Sequence, residues 1–358
     1  MLRYRYLRIP FLIAAVMFCI SGCSGCGKEV KRINGGGATF VDPIMQKWSA
    51  VYKEQKGIEI DYKKSGSGNG IQQMIAKTLD FGCSDAPMNK EQLDTAMKEG
   101  GEVIHIPLTM GAVVLVYNLP ESGESQLVFT GKVLADIYRG VVKKWNDPAI
   151  AEINKGVNLP DREIVPVYRS EGSGTTKIYT EYLSKSNTDF AKEIGPATEP
   201  KWPKIGTGQN GNDGIAGFVK NNPYTIGYVE LFYAHKNEIR FAKVRNRKGT
   251  DISPDAEGVV SAAAAAALAT PQEKEPYSLH ELTFSLTDTN SDAAYPICGI
   301  SYAILYKKLP AAKGKPLVEF LKWATSEGQQ FAKGLDYAPL PDELIKKIQA
   351  RLDQVQYE

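Results

Sequence analysis

Apolar residues along this chain recur in two rhythms, one alternating and one at helical spacing, separated by glycine- and hydroxyl-rich segments. Ile44, Trp48, Val51 and Tyr52 predict a helix with Pro43 in its first turn, and Ile58, Ile60 and Tyr62 alternate as a strand. Ser65-Gly66-Ser67-Gly68-Asn69-Gly70 leads from that strand to a helical stripe of Ile71, Met74, Ile75 and Leu79. Further on, Ile164, Val165, Val167 and Tyr168 read as a strand, with Pro166 pointing to an edge or a strand start. Ile178, Tyr179, Tyr182 and Leu183 follow at helical spacing. Val113 to Tyr117 and Ile297 to Tyr306 read as strands bracketing the middle of the chain. Leu317, Phe320, Leu321 and Ala324 open helical patterns that run on to Arg351, and the Ala262 to Ala267 run predicts a helix on the outer surface. Strands alternating with helices predict an α/β fold.

The chemistry concentrates where strand turns to helix. In Arg169-Ser170-Glu171-Gly172-Ser173-Gly174-Thr175, the glycines let backbone N–H groups crowd together and Ser173 is a good N-cap. The first N–H groups of a helix have no partner within it, so such a turn can cradle an anion. Arg169 adds a fork of donors, and Glu171 is near enough to hold it. Gly35-Gly36-Gly37-Ala38-Thr39-Phe40 and the Ser65 to Gly70 segment read as two related flexible turns. Thr39, Ser67, Ser173 and Thr175 together could surround one tetrahedral anion, although glycine- and serine-rich turns are also common in α/β proteins with no such site. Asp85 then looks out of place, because a carboxylate rejects an anion that brings no proton to donate. Phosphate at neutral pH keeps a proton and sulfate does not.

The N-terminus has Arg3, Arg5 and Arg8 before an apolar run from Ile9 to Ile20, which suits a secretory signal peptide better than a membrane span. Ile20-Ser21-Gly22-Cys23 resembles the bacterial lipobox, implying cleavage before Cys23 and lipidation of its thiol. Loss of residues 1–22 takes three of the 43 basic residues and no acid, leaving 40 against 41 acidic. That near neutrality argues against nucleic acid as a partner, so anion selectivity must be local. Cys26, Cys83 and Cys298 remain, an odd number that defines no disulfide framework. His105, His235 and His280 lack ligand spacing, so no metal is expected. Three motif matches are set aside: Gly22 to Lys28 as a P-loop, Cys23 to Cys26 as a redox pair, and Gly206 to Gly211 as a dinucleotide fingerprint, whose preceding Lys201-Trp202-Pro203-Lys204 is a poor strand.

The glycine-rich segments at 35–40 and 65–70, Asp80-Phe81-Gly82-Cys83-Ser84-Asp85-Ala86-Pro87 and the 169–175 turn fall in the order seen in the phosphate-binding protein of bacterial phosphate ABC transporters. Gly211 to Ala216, Ile226 to Glu230 and Leu335 to Pro341 resemble the same family, and the likeness covers essentially the whole chain after the leader. It implies a two-lobe periplasmic-binding-protein fold of type II-like topology, each lobe a central sheet flanked by helices, with a hinge between. The expected divisions are a signal peptide at 1–22, a lipid-anchored linker at 23–33, lobe I at 34–118 and 292–358, and lobe II at 119–291.

Carried over by position, the resemblance makes Thr39, Phe40, Ser67, Asp85, Arg169, Ser173, Gly174 and Thr175 the phosphate-binding residues. Asp85 would accept the phosphate proton, and Glu171 would orient the arginine where the family usually has Asp. No cofactor is implied. The expected partners are inorganic phosphate, a permease in the cytoplasmic membrane, and the membrane itself through Cys23, with the binding unit a monomer in the periplasm or at the cell surface. Alternatives are a receptor or sensor for another tetrahedral oxyanion and an exported phosphatase or serine hydrolase. The last lacks a full Gly-x-Ser-x-Gly elbow and a histidine placed as base.

Overall fold

Among the described residues the first strand ends in three consecutive glycines. In the computed structural model, which describes residues 31–268, 276–278 and 281–358, Lys31–Gly37 forms β1 between β2 (Ile58–Lys64) and β3 (Phe81–Ser84), parallel to both. Sequence reading treats Gly35 to Gly37 as a turn and 23–33 as linker, yet the strand already runs at Lys31 and takes in all three glycines. Packing explains this. A Cβ at Gly35 would lie 2.2 Å from the Phe81 ring, and one at Gly37 would lie 2.2 Å from the Cys83 carbonyl, so only glycine lets these strands pack here.

Helix α1 (Asp42–Lys56) joins β1 to β2, with Pro43 in its first turn and Ile44, Met45, Trp48 and Tyr52 buried. After β2, α2 (Ser67–Ile75) crosses to β3, and α3 (Lys90–Gly100), capped by Asn89, leads to β4 (Val103–Asn118). β5 (Val128–Thr130), α4 (Gly131–Tyr138) and α5 (Pro148–Ala151) precede β6 (Val165–Arg169). From β6 the chain enters α6 (Gly174–Ser186) and α7 (Thr188–Glu193), then β7 (Thr207–Gln209), α8 (Gly211–Asn221), β8 (Thr225–Glu230) and α9 (Leu231–Lys236). β9 (Lys243–Arg245), β10 (Asp251–Ile252) and α10 (Ala256–Leu268) lead towards β11 (Cys298–Tyr306). β12 (Lys308–Leu309), α11 (Ala311–Ala324), α12 (Asp342–Leu352) and β13 (Gln356–Tyr357) complete the chain.

The main sheet runs β2-β1-β3-β11-β4-β8-β6-β7, and one strand serves both of its halves. β4 pairs antiparallel with β11 from Val103 to Ala112 and with β8 from Val113 to Asn118. This is the two-lobe arrangement of periplasmic binding proteins, with β4 crossing from one lobe to the other. Its residues from Val103 to Tyr117 are all buried, which suits a strand covered on both faces. The β4–β11 register slips where Ser301 opposes Thr109 and Tyr302 opposes Pro107, a bulge that accommodates proline in an interior strand. Pro166 lies at the start of β6, one residue before the β7 pairing begins, as a strand-start proline should.

The alanine-rich helix departs from expectation. α10 buries Val259, Ala262 and Ala263 against the core while Val260 is exposed, so it is not a purely outer helix. Its uniform apolar run gives no polar face from which sequence could read an orientation.

Candidate functional site

Four chain segments that lead into helices converge between the lobes. Ala38 to Val41 precedes α1 after β1, α2 begins at Ser67 after β2, α6 begins at Gly174 after β6, and α8 begins at Gly211 after β7. All follow the carboxyl ends of parallel strands, where ligand crevices form in α/β folds. Every residue assigned to phosphate binding from sequence comes together there and is buried: Thr39, Phe40, Ser67, Asp85, Arg169, Ser173, Gly174 and Thr175. Contact is close. A Cβ on Gly174 would lie 2.6 Å from both Asp85 Cβ and Ser67 Oγ, and the Gly68 N–H donates to the Gly172 carbonyl at 2.9 Å.

The donors form a consistent set. The N–H groups of Thr39 and Phe40 find no acceptor among the described residues, although both residues are buried. Buried N–H groups are rarely left without a partner, so this pair points to a ligand acceptor. The first-turn N–H groups of Gly174 and Thr175 likewise have no intrahelical acceptor. Each hydroxyl oxygen, by contrast, already accepts a hydrogen bond. Ser173 Oγ caps the Thr176 N–H at 3.1 Å, Ser67 Oγ accepts from the Asp85 N–H at 3.3 Å, and Thr39 Oγ1 accepts from Asn212 Nδ2 at 2.9 Å. The protons of Ser173 and Thr39 remain to be given, while Ser67 also hydrogen-bonds the Asp85 carboxyl.

Arg169 supplies the cation. Its side chain is 1% exposed, its Nε donates to Glu171 Oε1 at 2.9 Å, and its Nη2 pairs with the same oxygen. The Gly211 N–H at the start of α8 also donates to Glu171 Oε1, at 3.0 Å, so a helix terminus braces the carboxylate that braces the arginine. Glu171 Oε2 has no partner among the described residues. The Arg169 N–H donates to Tyr228 Oη at 3.2 Å, and Tyr228 stacks on Tyr179 with ring centroids 4.5 Å apart, which ties the end of β6 to α6.

Asp85 is the acceptor in this set. Burial pushes its carboxyl up to about 7, while hydrogen bonding to Ser301, the nearby Arg169 charge, and Thr175 and Ser67 pull the other way. Ser301 Oγ, beside the β-bulge, donates to Asp85 Oδ1 at 2.8 Å, and Thr175 Oγ1 donates to Asp85 Oδ2 at 3.4 Å. Asp85 therefore does not serve as a cap for the turn before Pro87; Ser84 holds that turn, accepting from the Ala86 N–H at 3.1 Å.

Some participants escape sequence reading. Asn212 and Ser301 touch the site's hydroxyls and carboxylate directly, while Tyr233 and Tyr337 donate to the carbonyls of Thr39 and Phe40. No strand precedes the segment set aside as a dinucleotide fingerprint, as expected; a short strand, β7, lies within it instead, and the helix that follows delivers Gly211 and Asn212 here. The signal in sequence was Gly211 to Ala216, a stretch matched to the family without a role. Cys83 and Cys298 are buried and free, and no group of metal-ligating side chains occurs among the described residues. Cys23, Cys26, His280, the signal peptide and the linker up to residue 30 lie outside the described residues.

Comparison with known proteins agrees with the fold. A PBP superfamily domain matches residues 24–327. The chain is similar to the phosphate-binding protein PstS of Pasteurella multocida, 42% identical over 324 residues and 90% of each chain. It is also similar to the phosphate-binding protein PstS of Haemophilus influenzae, 37% identical over 328 residues, 90% of this chain and 93% of that one. Among solved structures, the periplasmic phosphate-binding protein PfluDING, bound with phosphate, superimposes with a TM-score of 0.69 at 19% identity, covering 89% of this chain and 93% of that one.

Proposed function

The chain belongs to the PBP superfamily and, within it, to the phosphate-binding proteins named PstS, and from that premise we propose that it binds inorganic phosphate outside the cytoplasm for import by an ABC transporter. The single observation that carries the reading is the pair of buried Thr39 and Phe40 N–H groups with no acceptor among the described residues, facing a crevice of further donors. Thr39, Phe40, Ser67, Arg169, Ser173, Gly174 and Thr175 donate to phosphate oxygens, and Asp85 accepts the phosphate proton. Glu171 orients Arg169, the longer side chain spanning what an aspartate spans elsewhere in the family.

Binding draws mainly on hydrogen bonds and helix termini. One arginine pairs with Glu171 and its charge also acts on Asp85, so net charge contributes little. Residues 34–118 and 292–358 act as lobe I and residues 119–291 as lobe II, closing around the ligand as a hinge. The change of partner within β4 supports a crossing in that strand. Residues 1–22 direct export, Cys23 carries the lipid that holds the protein at the membrane, and a permease receives the phosphate from a monomeric binding unit. No helix among the described residues is long and apolar enough to cross a membrane.

Calorimetric titration of the purified protein with phosphate, followed by sulfate competition, tests this. One phosphate bound per chain, with sulfate failing to displace it at equal concentration, is expected. Absence of phosphate binding overturns the reading, and equal preference for the two anions overturns the role of Asp85.

A further inference from the structure

We infer that Asn212 is a positioning residue of the oxyanion site, which by filling acceptor positions on Thr39 and Thr175 leaves both hydroxyls only their protons to offer within the site. The inference rests on the function proposed above and adds to it a residue that sets the polarity of the site. Asn212 is fully buried at the second position of α8. Its Oδ1 accepts from the Glu230 N–H at 3.1 Å, and a backbone N–H can only donate, so the two ends of the amide are distinguished. Nδ2 therefore faces Thr39 Oγ1 at 2.9 Å and Thr175 Oγ1 at 3.3 Å. The Asn212 backbone N–H reaches Thr39 Oγ1 as well, at 3.3 Å.

A hydroxyl has two acceptor sites and one proton. Asn212 fills both acceptor sites of Thr39. On Thr175 it fills one, and Arg169 Nη1 approaches the other at 3.5 Å. What each threonine has left is its O–H. In the present structure Thr175 directs its proton to Asp85 Oδ2 at 3.4 Å, the same carboxylate that would meet the ligand's proton. Thr39 has no acceptor for its proton among the described residues, and its carbonyl is held separately by Tyr233 Oη at 2.7 Å. Thr39 belongs to the first lobe and Asn212 and Thr175 to the second, so this setting is complete only when the lobes meet.

Aspartate at 212 has nearly the same shape. One oxygen would still accept from the Glu230 N–H, but the other would present an acceptor and a negative charge to Thr39 and Thr175, turning both protons away from the ligand. The test is titration with inorganic phosphate of the unaltered protein, N212D, N212A, T39V and the N212A/T39V pair. Hydrogen bonds to charged groups are each worth about 10- to 100-fold, so N212D should bind phosphate about 100-fold more weakly at a pH of about 8. A carboxylate buried at this position is pushed above its ordinary value of about 3.9, so lowering the pH to about 5 begins to protonate it and to restore a donor, and the deficit relative to the unaltered protein should shrink. N212A should cost about 10-fold alone and markedly less when Thr39 is already valine, because its main target is gone. A purely structural role predicts an equal cost in both backgrounds and a deficit in N212D that ignores pH. Either result, or N212D matching the unaltered protein, overturns the inference while leaving phosphate binding standing. Failure of the unaltered protein to bind phosphate overturns both. If N212D does not fold, the N212A and T39V cycle decides.

Discussion

Asp85 combines two consequences in one side chain. Burial disfavours its charge and pushes the carboxyl up to about 7, well above the ordinary value of 3.8. A folded-state value raised in this way contributes stability that is full below about 4 and is lost as pH rises through about 7. Asp85→Asn cannot ionise, so the melting temperature of the ligand-free variant should gain on the unaltered protein as pH rises from about 4 to about 7, read by thermal unfolding across that range. The same titration governs selectivity. Ionised Asp85 repels sulfate, but protonated Asp85 can donate to it, so sulfate competition should strengthen as pH falls below about 7. Asp85→Asn should accept sulfate with little pH dependence, measured by competitive titration. The acid's importance was legible from its type beside so many donors. Its raised pKa was not, since that depends on how completely tertiary packing removes water.

At the scale of the element, α6 shows how a helix start becomes a binding wall. Ser173 accepts from the Thr176 N–H and caps the helix, as Gly-Ser-Gly before an apolar stripe suggests. Removing a serine cap typically costs about 1 kcal/mol, so Ser173→Ala should lower stability by that amount in denaturant unfolding of the ligand-free protein. The same change removes a hydroxyl donor and should weaken phosphate binding about tenfold or more. α8 makes a different point. Its Asn210 cap position has no side-chain cap, and the free N–H groups of Gly211 and Asn212 serve Glu171 and Thr39 instead. A local reading of that Gly-rich segment yields a turn and a helix but not the groups its N-terminus meets, which come from the turn after β6 and from the segment after β1.

For the whole molecule, glycine at 174 separates folding from closure. Its backbone is helical, so alanine there should favour the ligand-free helix by about 0.5–1 kcal/mol. A Cβ would nevertheless fall 2.7 Å from the Asp85 N atom, just after β3, and 2.6 Å from Ser67 Oγ at the start of α2. Gly174→Ala should therefore keep or slightly raise the ligand-free melting temperature while weakening phosphate binding about 100-fold, since full closure is blocked. Small-angle scattering should show the unaltered protein becoming more compact with phosphate and the variant staying extended. Equal compaction in both would show that the two lobes need not approach as closely as they do here.

Local chemistry made much of this protein readable in advance. The period of the apolar positions marked the strands and helices, because each element must bury one face, and the residue types at the turns marked donors, a cation and an acid. Matching those turns in order to a known family then pointed to one site. Other features depended on atoms distant in sequence. Glycines 35 to 37 became a strand because Phe81 and Cys83 leave no room for side chains, α10 turned Val259, Ala262 and Ala263 inward, and a bulge aimed Ser301 at Asp85. Asn212 meets Thr39 only because the fold brings the start of α8 against the segment after β1. An asparagine can donate or accept with equal ease, and which it does is decided by what the fold sets against each end of its amide.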